Sequence, residues 1–462
     1  MKTHMQKVGR AAGIAILLAA LSLLALAQTE RDLAEGRRLL AEGRFAEAVA
    51  AFNRHKQANP ADARAYFHAG VALAEAGRLS DAALELGEAI RLDSRRPEYR
   101  VFQASVLVRL KQNPAALDAL SALTASKATE GLDVAWLWLL SDVYYRLEKF
   151  DDALRILDLL ETRAPGDARL DLNRGQAYAV KAEYDRARQS LQRSVAKFPA
   201  NPLAHFELGK LLYQLNEMAA AAASLREAVR LDPENPQYLH KLGAALIALN
   251  QPDEAIAALE RAVAHAAEFP KIYYALGQAW QRKGDRARAG EFMVRFKRAR
   301  EAQEGREGRE SEVSRLIAKG ERMLDEGNSK AALSFFEQAA AEDPGNWTAR
   351  AYLAEEALAA GDAARAHPHL LRMEEIDPES PVGNYLMARH WAMRGEFEKA
   401  RGYAERVRQA RPAHAELRNL LGTIYLGLGR KDEAMRELAE AIRLAPDRAD
   451  FRENLQRLKS MK

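Results

Sequence analysis

Histidine and cysteine are the side chains best suited to metal binding and covalent chemistry, and this sequence offers little of either. It has ten histidines and no cysteine, so thiol catalysis, disulfides and cysteine-based zinc sites are excluded. The only close histidine pair is His367-Pro-His369, at the start of a predicted helix. A separation of two positions places the two rings on different faces of that helix, so we interpret them as surface residues. We therefore expect no metal and no cofactor.

The motifs of the common enzyme classes are also missing. The sequence has no His-Glu-x-x-His, no phosphate-binding Gly-x-x-x-x-Gly-Lys-Ser/Thr and no Gly-x-Ser-x-Gly. Carboxylates are numerous, but they alternate with Lys and Arg in the manner of solvated helix faces. The net charge is only +4, without the clustered basic face that nucleic-acid binding requires. We expect neither enzymatic activity nor a nucleic-acid partner.

The dominant pattern is instead a spacing that repeats along the chain. Gly175, Gly209, Gly243 and Gly277 follow one another at steps of 34 residues. The segment 203–236 carries apolar residues at steps of three and four in both halves, which predicts two amphipathic helices. Such a glycine allows the backbones of a helix pair to approach closely, and a proline after the second helix ends it.

This pattern resembles the tetratricopeptide repeat (TPR), with a small residue in helix A, alanines in helix B and a proline behind them. The resemblance implies an all-α fold, an α-solenoid forming a right-handed superhelix of about twelve helix–turn–helix units. Residues 449–462 form a predicted C-terminal capping helix. The small positions of helix A in the twelve units are Gly36, Gly70, Ala104, Ser141, Gly175, Gly209, Gly243, Gly277, Gly320, Ala354, Ala388 and Gly422.

The period is interrupted once in the second half of the chain. The step from Gly277 to Gly320 is nine residues longer than the usual 34, and the extra length falls in the charged stretch 297–312. We predict one array of units 1–8 at residues 28–296 and a second of units 9–12 at 313–448. The stretch between them is interpreted as an extended helix with a solvated link, or as a hinge or basic contact patch. Its mixed charges favour the first interpretation.

The first 27 residues differ from the rest of the chain. Lys2, Lys7 and Arg10 precede an apolar run at residues 11–27 that ends in Ala-Leu-Ala. This arrangement is typical of a signal peptide cleaved after Ala27, and it predicts a periplasmic or secreted protein. The alternative is an uncleaved N-terminal membrane anchor, because the run is at the lower limit for spanning a bilayer. No further membrane span is expected.

The TPR resemblance also implies where a partner binds, namely on the concave surface formed by successive A helices. The residues carried over to that surface are aromatic, basic or polar. They are Trp138, Asp142, Tyr145, Arg146, Phe206, Lys210, Tyr213, Gln214, His240, Lys271, Tyr274, Gln278, Gln281 and Arg282. For Trp138 and Phe206 the alternative is packing between neighbouring helices. Trp136, Tyr144, Trp280 and Trp391 fall at positions that the family buries.

These features lead to two hypotheses about function. The first is a non-catalytic scaffold that holds a protein or peptide partner, with acidic groups, in the groove; Tyr, Trp and Arg are frequent anchors of such interfaces. The second, implied by the resemblance to exported TPR proteins, is a component of an envelope export or assembly system for polysaccharide, pilus or outer membrane. In that case the aromatic residues could contact a glycan.

Overall fold

The computed structural model describes residues 30–125 and 128–460. In these ranges every regular element is a helix, and no strand occurs. The predicted all-α solenoid of TPR-like helix pairs is therefore confirmed. The predicted signal peptide lies outside the described residues.

Two compact units are distinguished by their internal contacts. Within the described residues, unit 1 comprises 30–112 and 309–460, and unit 2 comprises 113–125 and 128–308. One boundary falls inside the charged stretch 297–312, and the other falls between Gln112 and Asn113, inside the third repeat.

Unit 1 begins with α1, residues 30–41, and both its segments consist of paired helices. The remaining helices of its first segment are α2 (Phe45–Ala58), α3 (Ala63–Glu75), α4 (Leu79–Leu92) and α5 (Pro97–Arg109). Those of its second segment are α17 (Ser329–Glu342), α18 (Trp347–Ala359), α19 (Ala363–Ile376), α20 (Pro381–Met393), α21 (Phe397–Ala410), α22 (Ala415–Gly427), α23 (Lys431–Leu444) and α24 (Ala449–Ser460).

Unit 2 continues the pattern, with a short 3-10 turn at Ala128–Gly131. Its helices are α6 (Asn113–Ala125), α7 (Val134–Arg146), α8 (Phe150–Arg163), α9 (Ala168–Val180), α10 (Tyr184–Lys197), α11 (Pro202–Gln214), α12 (Met218–Leu231), α13 (Pro236–Ala248), α14 (Pro252–His265) and α15 (Pro270–Lys283). Helix α16 (Arg286–Asp325) contains the boundary between the units.

The small residue of each A helix permits the close helix pairing that the period predicts. A Cβ placed on Gly209 of α11 would lie 2.6 Å from Cγ of Leu225 on α12, well inside van der Waals contact. Leu225 itself is fully buried and packs with Leu242 and Leu259 of the following pair. The buried core of unit 2 therefore continues from one helix pair to the next, as in a solenoid.

The charged stretch 297–312 is helical throughout, within the 40-residue helix α16. This helix serves both as the second helix of the eighth pair and as the first helix of the ninth. No proline interrupts it, and pairs one turn apart such as Arg300–Glu304, at 3.2 Å, support its exposed surface. The nine extra residues thus lengthen a helix.

Candidate partner-binding surface

The predicted partner-binding residues all lie on the first helix of successive pairs in unit 2. Helices α9, α11, α13 and α15 each contact the next of this series, so together they form one continuous helical face. Their starts are fixed locally. Asn201 and Asn235 cap α11 and α13 by accepting hydrogen bonds from backbone N–H groups two residues on, and proline occupies the following position. We call this surface the inner face.

Helix α7 borders the inner face next to α9, where Asp142 and Tyr145 line a groove together with Asn173, and its side chains there are polar and internally paired. Arg146 donates to Asp142 at 2.7 Å, and both side chains are exposed. Tyr145 is half-buried, with its ring edge against Phe150 at 5.4 Å between centroids. Burial, together with the nearby Glu207 carboxylate, raises the pKa of Tyr145. These groups satisfy one another and leave little net charge at this end.

Two of the predicted aromatic residues are buried between helices. Trp138 is 7% exposed and is covered by the Arg169 guanidinium, 4.0 Å from its ring centroid. Phe206 is 8% exposed and packs on Tyr238 at 4.6 Å. Both rings therefore contribute chiefly to packing between neighbouring helices, which was the alternative interpretation of their sequence positions. Tyr274, by contrast, is 43% exposed.

Further along, three lysines from consecutive A helices face the same region. Lys210 of α11 pairs with Glu207. Lys241 of α13 is half-buried, with its ammonium 5.0 Å from the centroid of the Tyr213 ring. Burial, then the charges of Lys210 and Lys271, lower the pKa of Lys241. Within the described part of the chain, no carboxylate lies within 4.0 Å of Lys241 or Lys271.

His240 contributes a neutral ring beside these lysines. It meets Phe269 edge-on at 5.6 Å between centroids. Burial and the adjacent charges of Lys241 and Lys271 lower its pKa to about 4, so it carries no charge at neutral pH. The positive potential of this region therefore comes from the lysines, and His240 adds a surface for stacking.

The predicted amides fall into two groups. Gln214 donates to the Tyr184 hydroxyl at 2.9 Å, which ties α11 to α10. Gln278 is half-buried on α15, whereas Gln281 and Arg282 are exposed near the end of that helix. The structure thus brings four of the predicted residues near one another, namely Lys210, Tyr213, His240 and Lys271. Gln278, Gln281 and Arg282 lie apart from them, toward the end of α15.

Lys241 was missed by the sequence reasoning. It follows His240 directly and occupies the repeat position of Asn173 and Glu207, each 34 residues from the next. Asn173 lines a groove of about 210 Å³ together with Tyr145 and Gln176. Along the inner face, this repeat position therefore changes from the amide of Asn173 to the carboxylate of Glu207 and then to the ammonium of Lys241. A comparison of equivalent repeat positions in the sequence would have identified Lys241.

In residues 30–125 and 128–460, no group of three or more potential His, Asp or Glu ligands comes together. His367 instead stacks on His390 at 4.9 Å between ring centroids.

Sequence profiles described as tetratricopeptide repeat match this chain at residues 33–97, 103–168, 172–236, 236–279, 323–390 and 392–458. The chain belongs to the tetratricopeptide repeat family. No curated protein matches this TPR chain significantly in sequence. In the described ranges none of its helices has the length and hydrophobicity needed to cross a membrane.

The solved structures that match part of this chain include two MamA proteins. One, from Desulfovibrio magneticus RS-1, is 23% identical over 37% of the TPR chain and 96% of its own, with a TM-score of 0.35. The other, MamA AMB-1, is 25% identical over 36% and 96%, with a TM-score of 0.32. One chain of the APC/C hetero-tetramer Cut9–Hcn1 matches 96% of the TPR chain over 98% of its own length at 13% identity, with a TM-score of 0.30.

Proposed function

We propose that this TPR protein is a non-catalytic scaffold that holds an acidic segment of a partner protein on the inner face of unit 2. The observation that supports this most directly is Lys241, a half-buried ammonium with no carboxylate partner in the described chain, placed between two further lysines. A partly desolvated cation gains more from an incoming carboxylate than a fully hydrated one does.

The aromatic residues around the lysines supply the apolar part of the interface. Tyr213 lies beneath Lys241, and Tyr274 exposes its ring one helix further along. Tyrosine offers a large contact area with little loss of conformational entropy, and it is enriched at protein interfaces. A partner segment with acidic residues next to apolar ones matches this combination.

The experiment is quantitative co-purification with the mature chain from Gln28 as bait, with mass spectrometry of what it retains. The double variant Lys241→Gln/Lys271→Gln should lose the main partner, because it removes both unpaired cations. The matched control Arg186→Gln/Arg230→Gln removes the same charge from exposed ion pairs on α10 and α12 and should retain it. If the lysine variant keeps every partner while its circular dichroism spectrum is unchanged, the proposed surface is wrong.

The same lysines predict a dependence on salt. Attraction between exposed charges is screened over about 8 Å at physiological ionic strength, so the partner's affinity should fall as salt rises. A neutral glycan would show no such dependence. Direct binding to a glycan array therefore distinguishes the protein partner from the second hypothesis, in which an export component contacts polysaccharide.

We also propose that the protein acts outside the cytoplasm. The support is the charged, apolar and Ala-Leu-Ala sequence of residues 1–27. Fusing these residues to an alkaline phosphatase reporter, which needs an oxidising compartment, should give active enzyme. Determining the N-terminus of the mature protein then separates cleavage after Ala27 from a retained anchor.

A further inference from the structure

In unit 1, hydrogen bonds from a buried lysine and a partly exposed arginine connect the N-terminal helices to the C-terminal helices. Helix α2 packs against α21. Lys56 of α2 is fully buried, and its Nζ donates to the Glu85 carboxylate at 3.0 Å and to the carbonyl of Ala410 at 2.7 Å. Nearby, Arg78 donates to the carbonyl of Glu379 at 2.9 Å.

Beside these bonds lies a groove of about 550 Å³ whose walls come from both segments of unit 1. This volume is within the range of about 300–1,000 Å³ that is typical of small-ligand sites. Phe45, Val49 and Leu73 form an apolar wall on the N-terminal side. Asn53 and Arg406 face the groove from α2 and α21 respectively.

Two polar groups of the groove have unused hydrogen-bonding capacity. The Oδ1 atom of Asn53 is buried and accepts no hydrogen bond. A buried acceptor without a donor costs about 1–3 kcal/mol, so a ligand N–H would be favoured there. Arg406 donates one long hydrogen bond, 3.4 Å to Asn384 Oδ1, and its guanidinium lies 5.1 Å from the centroid of the Tyr403 ring. No described carboxylate lies within 4.0 Å of it.

Among the other charged residues of the groove, Arg54, Arg78 and Glu85 are paired, whereas no cation of the described chain lies within 4.0 Å of the Glu379 carboxylate. Arg54 contacts Glu35 at 2.8 Å and Asp32 at 3.2 Å, and Glu85 is held by Lys56. The groove therefore offers one guanidinium without a carboxylate partner, one free amide oxygen and one apolar wall. A ligand that satisfies all three carries an anion, an N–H donor and an apolar group.

We propose that this groove is a second binding site, for a short peptide segment in which an apolar side chain lies beside a carboxylate. The carboxylate pairs with Arg406, which can bind it through two parallel hydrogen bonds. A backbone N–H of the peptide donates to Asn53, and the apolar side chain packs against Phe45, Val49 and Leu73. The site is separate from the inner face of unit 2 and does not depend on the function proposed for it.

The two-sided construction of the groove also links binding to closure of unit 1. Asn53 and the apolar wall belong to the N-terminal segment, and Arg406 belongs to the C-terminal segment. A peptide that contacts both binds only while the two segments are together, so it stabilises that arrangement.

The test is selection of random dodecamer peptides displayed on phage against the mature full chain. Counter-selection uses Val49→Trp, whose larger side chain fills the groove. Peptides enriched on the native protein over this variant should share an apolar residue next to Asp or Glu. No such enrichment, or an enriched set without acidic residues, would overturn the proposal.

The selected peptides are then measured by fluorescence anisotropy. Arg406→Gln, an exposed position whose change should not affect folding, should weaken binding at least tenfold. Arg401→Gln removes an exposed arginine of the same helix that pairs with Glu398 at 2.8 Å, and it should leave affinity unchanged. Lys241→Gln should also have no effect. Weakening by Lys241→Gln but not by Arg406→Gln would place the peptide on the inner face of unit 2 and refute the groove.

Discussion

Replacing Lys56 by methionine tests the buried ion pair of unit 1. The Lys56 and Glu85 side chains are 0% and 5% exposed, with Nζ and Oε2 3.0 Å apart. At an effective dielectric constant of about 20, their attraction at that separation is roughly 5–6 kcal/mol, and desolvation of the two ions opposes it. Burial lowers the pKa of Lys56, whereas the Glu85 carboxylate acts in the opposite direction.

Lys56→Met leaves the Glu85 carboxylate buried without a cation and the Ala410 carbonyl without this donor. Removing one member of a buried pair costs about 3–5 kcal/mol, and we expect a loss of unfolding free energy in that range. The double variant Lys56→Met/Glu85→Leu removes both charges. Because hydrophobic replacement of a whole pair is close to neutral, it should recover most of that loss.

The measurement is hydrogen exchange of the amides of α2 and α21, since repeat arrays need not unfold in one cooperative step. The control is Arg38→Met, which breaks the exposed Arg38–Glu42 pair and should cost less than about 1 kcal/mol. If Lys56→Met changes the protection of these helices no more than Arg38→Met does, Lys56 is not the buried cation described here.

Three further changes probe other parts of the fold, each through the stability of the helices that carry the change, measured by hydrogen exchange of their amides. Gly209→Ala places a Cβ 2.6 Å from Cγ of Leu225. This overpacking should destabilise the protein by about 1–2 kcal/mol, even though alanine has the better helix propensity. A neutral effect would contradict the close approach of α11 and α12. Ala182 has a φ of 60°, which is unfavourable for a residue with a Cβ, and Ala182→Gly should stabilise by about 1 kcal/mol, whereas destabilisation would refute the left-handed conformation. His390 is fully buried, and burial followed by the neighbouring His367 lowers its pKa to about 4. As the pH falls below about 6.5, the unfolded chain therefore takes up a proton on this histidine before the folded chain does, and the folded state loses stability. Between pH 7.5 and pH 5.0, the His390→Leu variant should lose about 2 kcal/mol less stability than the native protein. Equal losses in both proteins would contradict this.

The helix pairs could be predicted because their determinants are local. A helix pair is specified by residues within one period: Gly209 faces Leu225 only 16 positions later, and Pro233 follows the end of α12 by two residues. The same frame carries over from one repeat to the next. Sequence spacing also located the irregular region near 297–312, although the preference of its Glu and Arg residues for helix decided that α16 continues through it.

The buried charges could not be predicted in this way. Lys56 lies near the end of a second helix, where a lysine is ordinarily solvated, and its partner carbonyl is on Ala410, 354 residues away. A repeat period describes contacts between neighbouring units and contains no information about contacts between distant ones. On the inner face, the family positions located Lys210 and Lys271, but the exposure of Trp138 depends on Arg169, which belongs to the next pair.

The same long-range contact gives the groove of unit 1 a property that the inner face of unit 2 lacks. A ligand present at 100 times its dissociation constant stabilises the state that binds it by about 2.7 kcal/mol. This stabilisation is comparable with the loss expected from Lys56→Met. The ligand and the Lys56 side chain both act on the contact between α2 and α21. A peptide in the groove and the Lys56–Glu85 pair would thus be two contributions to one equilibrium. Since Glu85 both pairs with Lys56 and lines the groove, a change in either contribution alters the other.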